Sequence, residues 1–472
     1  MTLKNDIEKK GIIHFIGIGG IGMSGIAELM FNQGYQVQGS DTSFNANINR
    51  LKKKKIKIFS KHSKSNLKNI SAVVYSSAIK KNNPEIIASK KLSIPLVSRA
   101  EMLAELMKLK KSIAIAGSHG KTTTTSLIGS ILEKANIDPT IVNGGIINSL
   151  SNNHRLGLGE WMLVEADESD GSFLKLPNQI NVITNIDYEH MDYYRNKNNL
   201  FSAFKTFATK IPFYGRSIIC INDKNSKKIS KSINTRKIIT YDYQNNLADV
   251  NIKQIQTNTK NTVFCINVKK NVIKKYEGLY WFNINLLGKH NVLNSTASII
   301  VAFLLGIKIQ KIQNALKEFQ GVKRRFNFLG KINKCSIYDD YAHHPTEIQA
   351  SYEIAKILKK NKIIVVFQPH RFTRTKTLYL NFIKELKKIN ILYIAEIFSA
   401  GEKNIKNINS YKLVKDLKKN NLNEVYFLKN QMALDKTLSK YYNEDNIIVF
   451  MGAGSISSWA QKLMEINESV RN

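Results

Sequence analysis

At 472 residues, 43% of them hydrophobic, the chain exceeds the roughly 250–300 residues that one core can serve, and three domains are expected. The net charge of +35 comes from 60 lysines scattered among Asn and Ile and only 11 arginines, which argues against nucleic acid as a main partner, because its recognition favours arginine interleaved with aromatics. Three distant cysteines, Cys220, Cys265 and Cys335, imply neither a disulfide framework nor a paired-cysteine metal site; with no apolar stretch near ~18 residues and no signal core in Met1–Glu8, no membrane partner and a cytoplasmic location are expected.

The first apolar run, Ile12 to Ile16, reads as a buried strand. It feeds Gly17-Ile18-Gly19-Gly20-Ile21-Gly22 and a helix through Ala27 to Met30, the glycine turn of a nucleotide-binding βαβ unit. A second strand, Tyr35 to Gly39, ends at Ser40-Asp41, near where an acidic residue would meet a ribose. This turn places a phosphate on a helix N-terminus without naming the nucleotide, and by itself it also suits a nicotinamide-dependent oxidoreductase. A helix from Ala100 to Met107 closes the first domain, 1–109, with the boundary between 107 and 111.

The run Ile113 to Ala116 leads into Gly117-Ser118-His119-Gly120-Lys121-Thr122-Thr123. Glycines let backbone N–H groups close around phosphate oxygens, Lys121 supplies a point charge, and the Thr122 hydroxyl suits Mg²⁺. A full P-loop would carry glycine where this chain has Ile115, so the pattern is the shorter Gly-x-x-Gly-Lys-Thr, and it points to ATP. Further apolar runs at Met162 to Val164, Ile180 to Ile186 and Ile218 to Ile221 argue a mostly parallel sheet for a central domain, 110–321. The polar span Lys224 to Asn271 reads as irregular strands. Glu165 to Asp170 puts four acids in six residues past a strand end, a costly cluster without a cation. His190, after the strand ending at Ile186, could complete a metal site there. Asn291 and Asn294 share one face at the head of an apolar helix running to Leu305, where their amides suit a nucleobase or phosphate edge, or a helix cap.

The third domain, 322–472, has strands at Ile363 to Phe367, Ile391 to Ala395 and Ile447 to Met451. It carries Lys323-Arg324-Arg325, then Tyr338 to Thr346 with Asp340 and His344, then Gln368 to Arg374. Arg371 and Arg374, three apart after a strand end, form a fork for carboxylate. The expected fold class is α/β in three domains: Rossmann-like, central P-loop-type ATPase with a mostly parallel sheet, and Rossmann-like again.

Together, His14 to Gly25, the Gly117 to Thr123 loop, Glu165 to Asp170, Asp340 to Thr346 and Gln368 to Arg374 resemble the Mur ligases, ATP-dependent amide-bond formers of bacterial peptidoglycan assembly. The likeness spans all three domains and is strongest to the branch adding L-alanine to UDP-N-acetylmuramate; the branch recycling a whole peptide onto that sugar is the alternative. The resemblance implies Mg²⁺ on Thr122, Glu165 and His190, Lys121 on the transferring phosphate, and Asn291, Asn294, Arg325 and Asp340 serving ATP, the last two from the third domain. It implies UDP on Gly19, Gly20 and Gly22 with Ser40 and Asp41 near the uridine, and His344, Arg371 and Arg374 handling the muramyl carboxylate and alanine. Lys121, His190, Arg325 and Asp340 are then the catalytic set, in a monomer or homodimer. Ser457 stands where the family often has glycine, so the Gly452 to Ser457 turn is assigned no ligand, and Lys205, at about the spacing of a carbamylated lysine in sister ligases, is left outside the site.

Overall fold

Strands β1 (Ile12–Ile16), β2 (Gln36–Ser40), β3 (Lys57–Phe59), β4 (Ile70–Tyr75) and β5 (Leu96–Ser98) make a parallel sheet in the order β3-β2-β1-β4-β5. The order reverses between β1 and β4, which opens a crevice at the carboxyl ends of the strands. The computed structural model describes residues 11–76, 78–108, 110–147, 152–155, 157–235, 237–419 and 424–469; Met1–Glu8 and position 109 of the expected boundary lie outside them.

Among the described residues the central sheet has ten strands: β6 (Lys111–Ala116), β7 (Thr140–Ile147), β8 (Asn152–Arg155), β9 (Trp161–Glu165), β10 (Ile180–Ile183), β11 (Arg216–Cys220), β12 (Ile238–Tyr243), β13 (Val250–Thr257), β14 (Thr262–Val268) and β15 (Gly278–Ile284). Their order is β15-β14-β13-β12-β11-β10-β6-β9-β7-β8, with β6 paired in parallel to both β9 and β10. Ile113, Ala114, Ile115 and Ala116 are fully buried, as a strand covered on both faces requires. That burial explains why the position where a full P-loop has glycine carries an isoleucine: Ile115 is still strand, not loop.

The third sheet joins β16 (Asn327–Ile332), β17 (Cys335–Asp340), β18 (Ile363–Phe367), β19 (Ile391–Ala395), β20 (Val425–Leu428) and β21 (Ile447–Met451) in the order β16-β17-β21-β18-β19-β20. Only the β16–β17 pair is antiparallel. The chain forms two compact units: the first sheet and the central sheet, apart from the end of β13 and the start of β14, lie in one, made of residues up to Ile255, Val263–Ile284 and Asn291–Gln320, and the third sheet lies in the other, made of Gln256–Thr262, Asn285–His290 and residues from Gly321 on.

Two expectations need correction. The strand expected to run from Ile180 to Ile186 stops at Ile183, because Thr184 and Asn185 leave the sheet to donate side-chain hydrogen bonds to the His119 carbonyl at 2.6 and 2.9 Å. The span Lys224 to Asn271 is regular: a helix, Lys224–Lys231, capped by the Asp223 carboxylate accepting from the Asn225 and Ser226 amides, is followed by β12, β13 and β14. The three cysteines are free and buried, with burial pushing the Cys220 and Cys335 thiols up to about 12. Among the described residues no helix is long and apolar enough to cross a membrane.

Candidate active site

The first glycine turn is tied down from β2. The Ser40 carbonyl accepts from the Gly17 and Ile18 amides at 2.8 and 3.1 Å, and Asp41 Oδ2 accepts from the Gly19 amide at 2.8 Å. Gly20 stands at the N-terminus of the helix Ile21–Asn32, which has no side-chain cap. Ser40, expected near the nucleotide, is fully buried, and its hydroxyl donates to Glu85 Oε2 at 2.6 Å. Asn66 Nδ2 donates to Glu85 Oε1 at 2.7 Å, and His14 and His62 face the same carboxylate at 3.2 and 3.0 Å. Ser40 therefore sits in a buried polar network beneath the turn, and Asp41 closes the turn itself.

Burial pushes the Glu85 carboxyl up, but the bonds from His14, Ser40 and Asn66 outweigh it and hold the group down at about 2, from an ordinary 4.5. A depressed carboxylate stabilises the fold above its unfolded value, so ~3 kcal/mol is present above pH 4.5 and lost as pH falls towards 2. The stability gap between the protein and Glu85→Gln, measured by chemical unfolding, is expected to shrink across that interval. A gap independent of pH would contradict the network's role.

The second glycine turn is built from positive-φ residues. Gly117 has φ +133° and Gly120 φ +82°, the latter opening the helix Lys121–Lys134. The His119 amide donates to Asn185 Oδ1 at 2.9 Å, and the Ser118 hydroxyl accepts from the Asp187 amide at 2.8 Å. The loop is thus bolted to the segment after β10 on both sides. Asn294 Oδ1 would lie 2.5 Å from a Cβ on Gly120, which brings Asn294 onto the loop; Asn291, one helical turn earlier, is buried. Thr123 is buried in the first helical turn.

Lys121 Nζ donates to the Gly117 and Ser118 carbonyls at 2.5 and 3.3 Å and to Glu168 Oε1 at 2.8 Å. Burial would lower its pKa, but the Glu168 and Glu165 carboxylates outweigh that and keep the ammonium charged. Thr122 Oγ1 lies 3.1 and 2.9 Å from the two Glu165 oxygens, so hydroxyl and carboxylate converge at the ends of β6 and β9. His190 Nε2 stands 3.9 Å from Glu168 Oε1, and ligating atoms of Glu168, Glu189 and His190 lie within 4.8 Å of one another. The expected Thr122, Glu165 and His190 thus fall into two neighbouring groups linked through the Lys121–Glu168 pair.

These groups suit a divalent cation. Glu168 Oε2 is buried with no hydrogen-bond partner among the described residues, an arrangement that costs free energy unless a cation or proton satisfies it. Burial raises the Glu168 carboxyl to about 7 even beside the Lys121 ammonium. His190 has φ +54°, a strained conformation of the kind stored at functional sites. Lys205 is exposed on the helix Lys197–Thr209 and lines a separate shallow cavity with Ser232 and Lys237.

In the C-terminal unit, β17 ends at Asp340. Burial raises its carboxyl to about 6 despite the Ser351 hydroxyl donating to it and the Arg325 charge nearby. Arg325 Nη1 lies 3.5 Å from Glu347 Oε1, with its guanidinium over the Tyr341 ring. His344 caps the helix Pro345–Leu358 in a capping box with Glu347. Arg374 Nη1 is 3.2 Å from His370 Nδ1, while Arg371 is exposed at the helix start with φ +69°. Burial and the neighbouring His343, Arg374 and Arg371 push His370 down to about 3, so its ring is neutral and can accept from Arg374. Ser457 donates to Asp339 Oδ2 at 2.5 Å, an internal use of that position. Sequence reasoning missed Glu85, Glu168, Glu189, Glu347 and Arg99; Glu168 and Glu189 stood in motifs already singled out, whereas the other three carried no local signal.

The family models match this layout in sequence: a Mur ligase family catalytic domain over residues 12–111, a Mur ligase middle domain over 115–302 and a Mur ligase glutamate ligase domain over 324–454. The UDP-N-acetylmuramate--L-alanine ligase of Rhizobium etli is 44% identical over 453 residues, covering 96% of each chain. That of Rickettsia bellii is 43% identical over 470 residues, covering 98% of each. The crystal structure of UDP-N-acetylmuramate-alanine ligase from Thermotoga maritima superposes with a TM-score of 0.80 at 28% identity, covering 98% of this chain and all of that one. A Gly-x-x-Gly-Lys-Thr loop, an acid pair and a histidine held at the strand ends of an α/β fold, under three consecutive family models and over nearly the whole length of such relatives, place this chain in the Mur ligase family.

Proposed function

We propose that this chain uses ATP to join L-alanine to the lactyl carboxylate of UDP-N-acetylmuramate, a step of peptidoglycan precursor synthesis. One observation carries the reading: a cavity of about 270 Å³ is lined both by Gly22 of the first glycine turn and by Lys121 and Glu165 of the phosphate loop and acid cluster. A sugar nucleotide and the γ-phosphate of ATP then meet in one enclosure. The names and near-complete coverage of the relatives favour alanine over a whole peptide as acceptor. Domain limits near 109 and 321 go with this reading.

The carboxylate attacks the γ-phosphorus, ADP leaves, and an acyl phosphate forms. The alanine ammonium gives up a proton, the free amine adds to the acyl carbon, and the tetrahedral intermediate expels phosphate, which leaves with the second proton of the nitrogen. The Gly117 to Gly120 loop and the N-terminus of the helix Lys121–Lys134 receive the phosphates, the Ser118 and His119 amides being held by Asn185, and Lys121 neutralises charge on the transferring group. Thr122, Glu165 and His190 would hold Mg²⁺, which when bound screens the phosphate oxygens. Asn291, Asn294, Arg325 and Asp340 serve ATP, while His344, Arg371 and Arg374 handle the acid and the amino acid.

Glu165→Gln is expected to raise the Mg²⁺ concentration for half-maximal turnover by about tenfold or more; an unchanged Mg²⁺ titration would remove Glu165 from the metal site. The reading itself is tested by mass spectrometry of UDP-N-acetylmuramate incubated with protein, ATP, Mg²⁺ and isotopically labelled L-alanine. A labelled alanyl product is expected, and incorporation of peptide but not alanine would move the chain to the recycling branch.

A further inference from the structure

Arg99 begins the helix Arg99–Lys108, directly after β5. Its Nη2 donates to Asp167 Oδ2 at 3.0 Å, and it lines the same cavity as Gly22, Lys121 and Glu165. A Cβ on Gly22 would stand 2.5 Å from Arg99 Nη1. Gly22 is not among the positive-φ glycines, so its backbone does not demand glycine, and an alanine there would displace the flexible end of the Arg99 side chain. The third glycine of the turn thus makes room for a cation at the cavity wall.

A guanidinium carries five N–H donors in a rigid fork. Asp167 takes one and fixes the plane. Lys121, which also lines this wall, donates to Glu168 and to the carbonyls of its own loop and is assigned above to the transferring phosphate, which leaves Arg99 for an oxyanion of the other substrate. Arg99 and Asp167 form an ion pair at 3.0 Å, so their opposite charges offset one another. An anion here is gripped by fork geometry rather than by long-range attraction.

We propose that Arg99 positions the sugar nucleotide by holding one of its oxyanions, of the diphosphate or of the lactyl carboxylate, where the cavity passes from Gly22 to Lys121. This inference rests on the ligase reading above.

The test is calorimetric titration of the full chain, Arg99→Lys, Arg99→Ala and Gly22→Ala with UDP-N-acetylmuramate, with UDP-N-acetylglucosamine, which lacks the acid arm, and with ATP as a control for folding. Affinity for UDP-N-acetylmuramate is expected to fall tenfold or more in all three variants, the lysine included because it keeps the charge and loses the fork, while ATP affinity stays within twofold. A parallel loss for UDP-N-acetylglucosamine assigns the diphosphate; a loss confined to UDP-N-acetylmuramate assigns the carboxylate. Unchanged UDP-N-acetylmuramate affinity in the Arg99 variants overturns the proposal, and so does an equal loss of ATP affinity, which marks a structural role. Failure of the unmodified chain to bind UDP-N-acetylmuramate overturns the ligase reading itself, and with it the ligand named here.

Discussion

Lys121→Ala is expected to lower turnover by at least about 1,000-fold and to leave the protein folded. The ammonium sits at the N-terminus of the helix Lys121–Lys134, within reach of the Gly117 and Ser118 carbonyls and of Glu168. It is the loop's own full positive charge, in a buried setting where electrostatic stabilisation of a transferring phosphoryl group is strong. Removing one partner of a buried pair can cost ~3–5 kcal/mol when a charge is stranded. Glu168, already raised to about 7 by burial, can take up a proton instead, so the variant should keep its circular dichroism spectrum and cooperative unfolding. A folded variant with near-normal turnover would sink the assignment of this loop.

The second large effect is expected at Gly117→Ala. The backbone there has φ +133°, and a Cβ would meet Thr184 Oγ1 at 2.2 Å and the Asn185 carbonyl at 3.0 Å. Backbone strain of ~1–3 kcal/mol is compounded by pushing away Thr184 and Asn185, the residues that bolt the loop through His119. ATP affinity, measured by calorimetry, should fall at least about tenfold, which corresponds to ~1.4 kcal/mol, together with a lower melting temperature. Unchanged ATP affinity would mean the loop does not hold the nucleotide.

How far the sequence reveals this depends on whether the cause is local. β1, β18, β19 and β21 are legible to the residue, because apolar runs bounded by glycine or polar residues leave no other register. Both glycine turns are legible because their spacing alone sets the backbone course. β10 overruns in the sequence reading since Thr184 to Ile186 continues the run, and only the contact with His119 tells it to stop. The missed side chains act across long separations: Arg99 meets Asp167 over 68 residues, Lys121 meets Glu168 over 47 and Ser40 meets Glu85 over 45. Pattern and propensity carry no information about such pairs. Ser40 is an example: the resemblance puts it near the uridine, and its hydroxyl is held by Glu85, a partner that its own segment does not announce.

The most direct test of the L-alanine ligase reading is phosphate release from ATP by the full chain with Mg²⁺ and UDP-N-acetylmuramate, comparing L-alanine, a muropeptide-type tripeptide and no acceptor. Release that requires both the sugar nucleotide and L-alanine is the predicted result. Release with the tripeptide alone, or none under any combination, would contradict it.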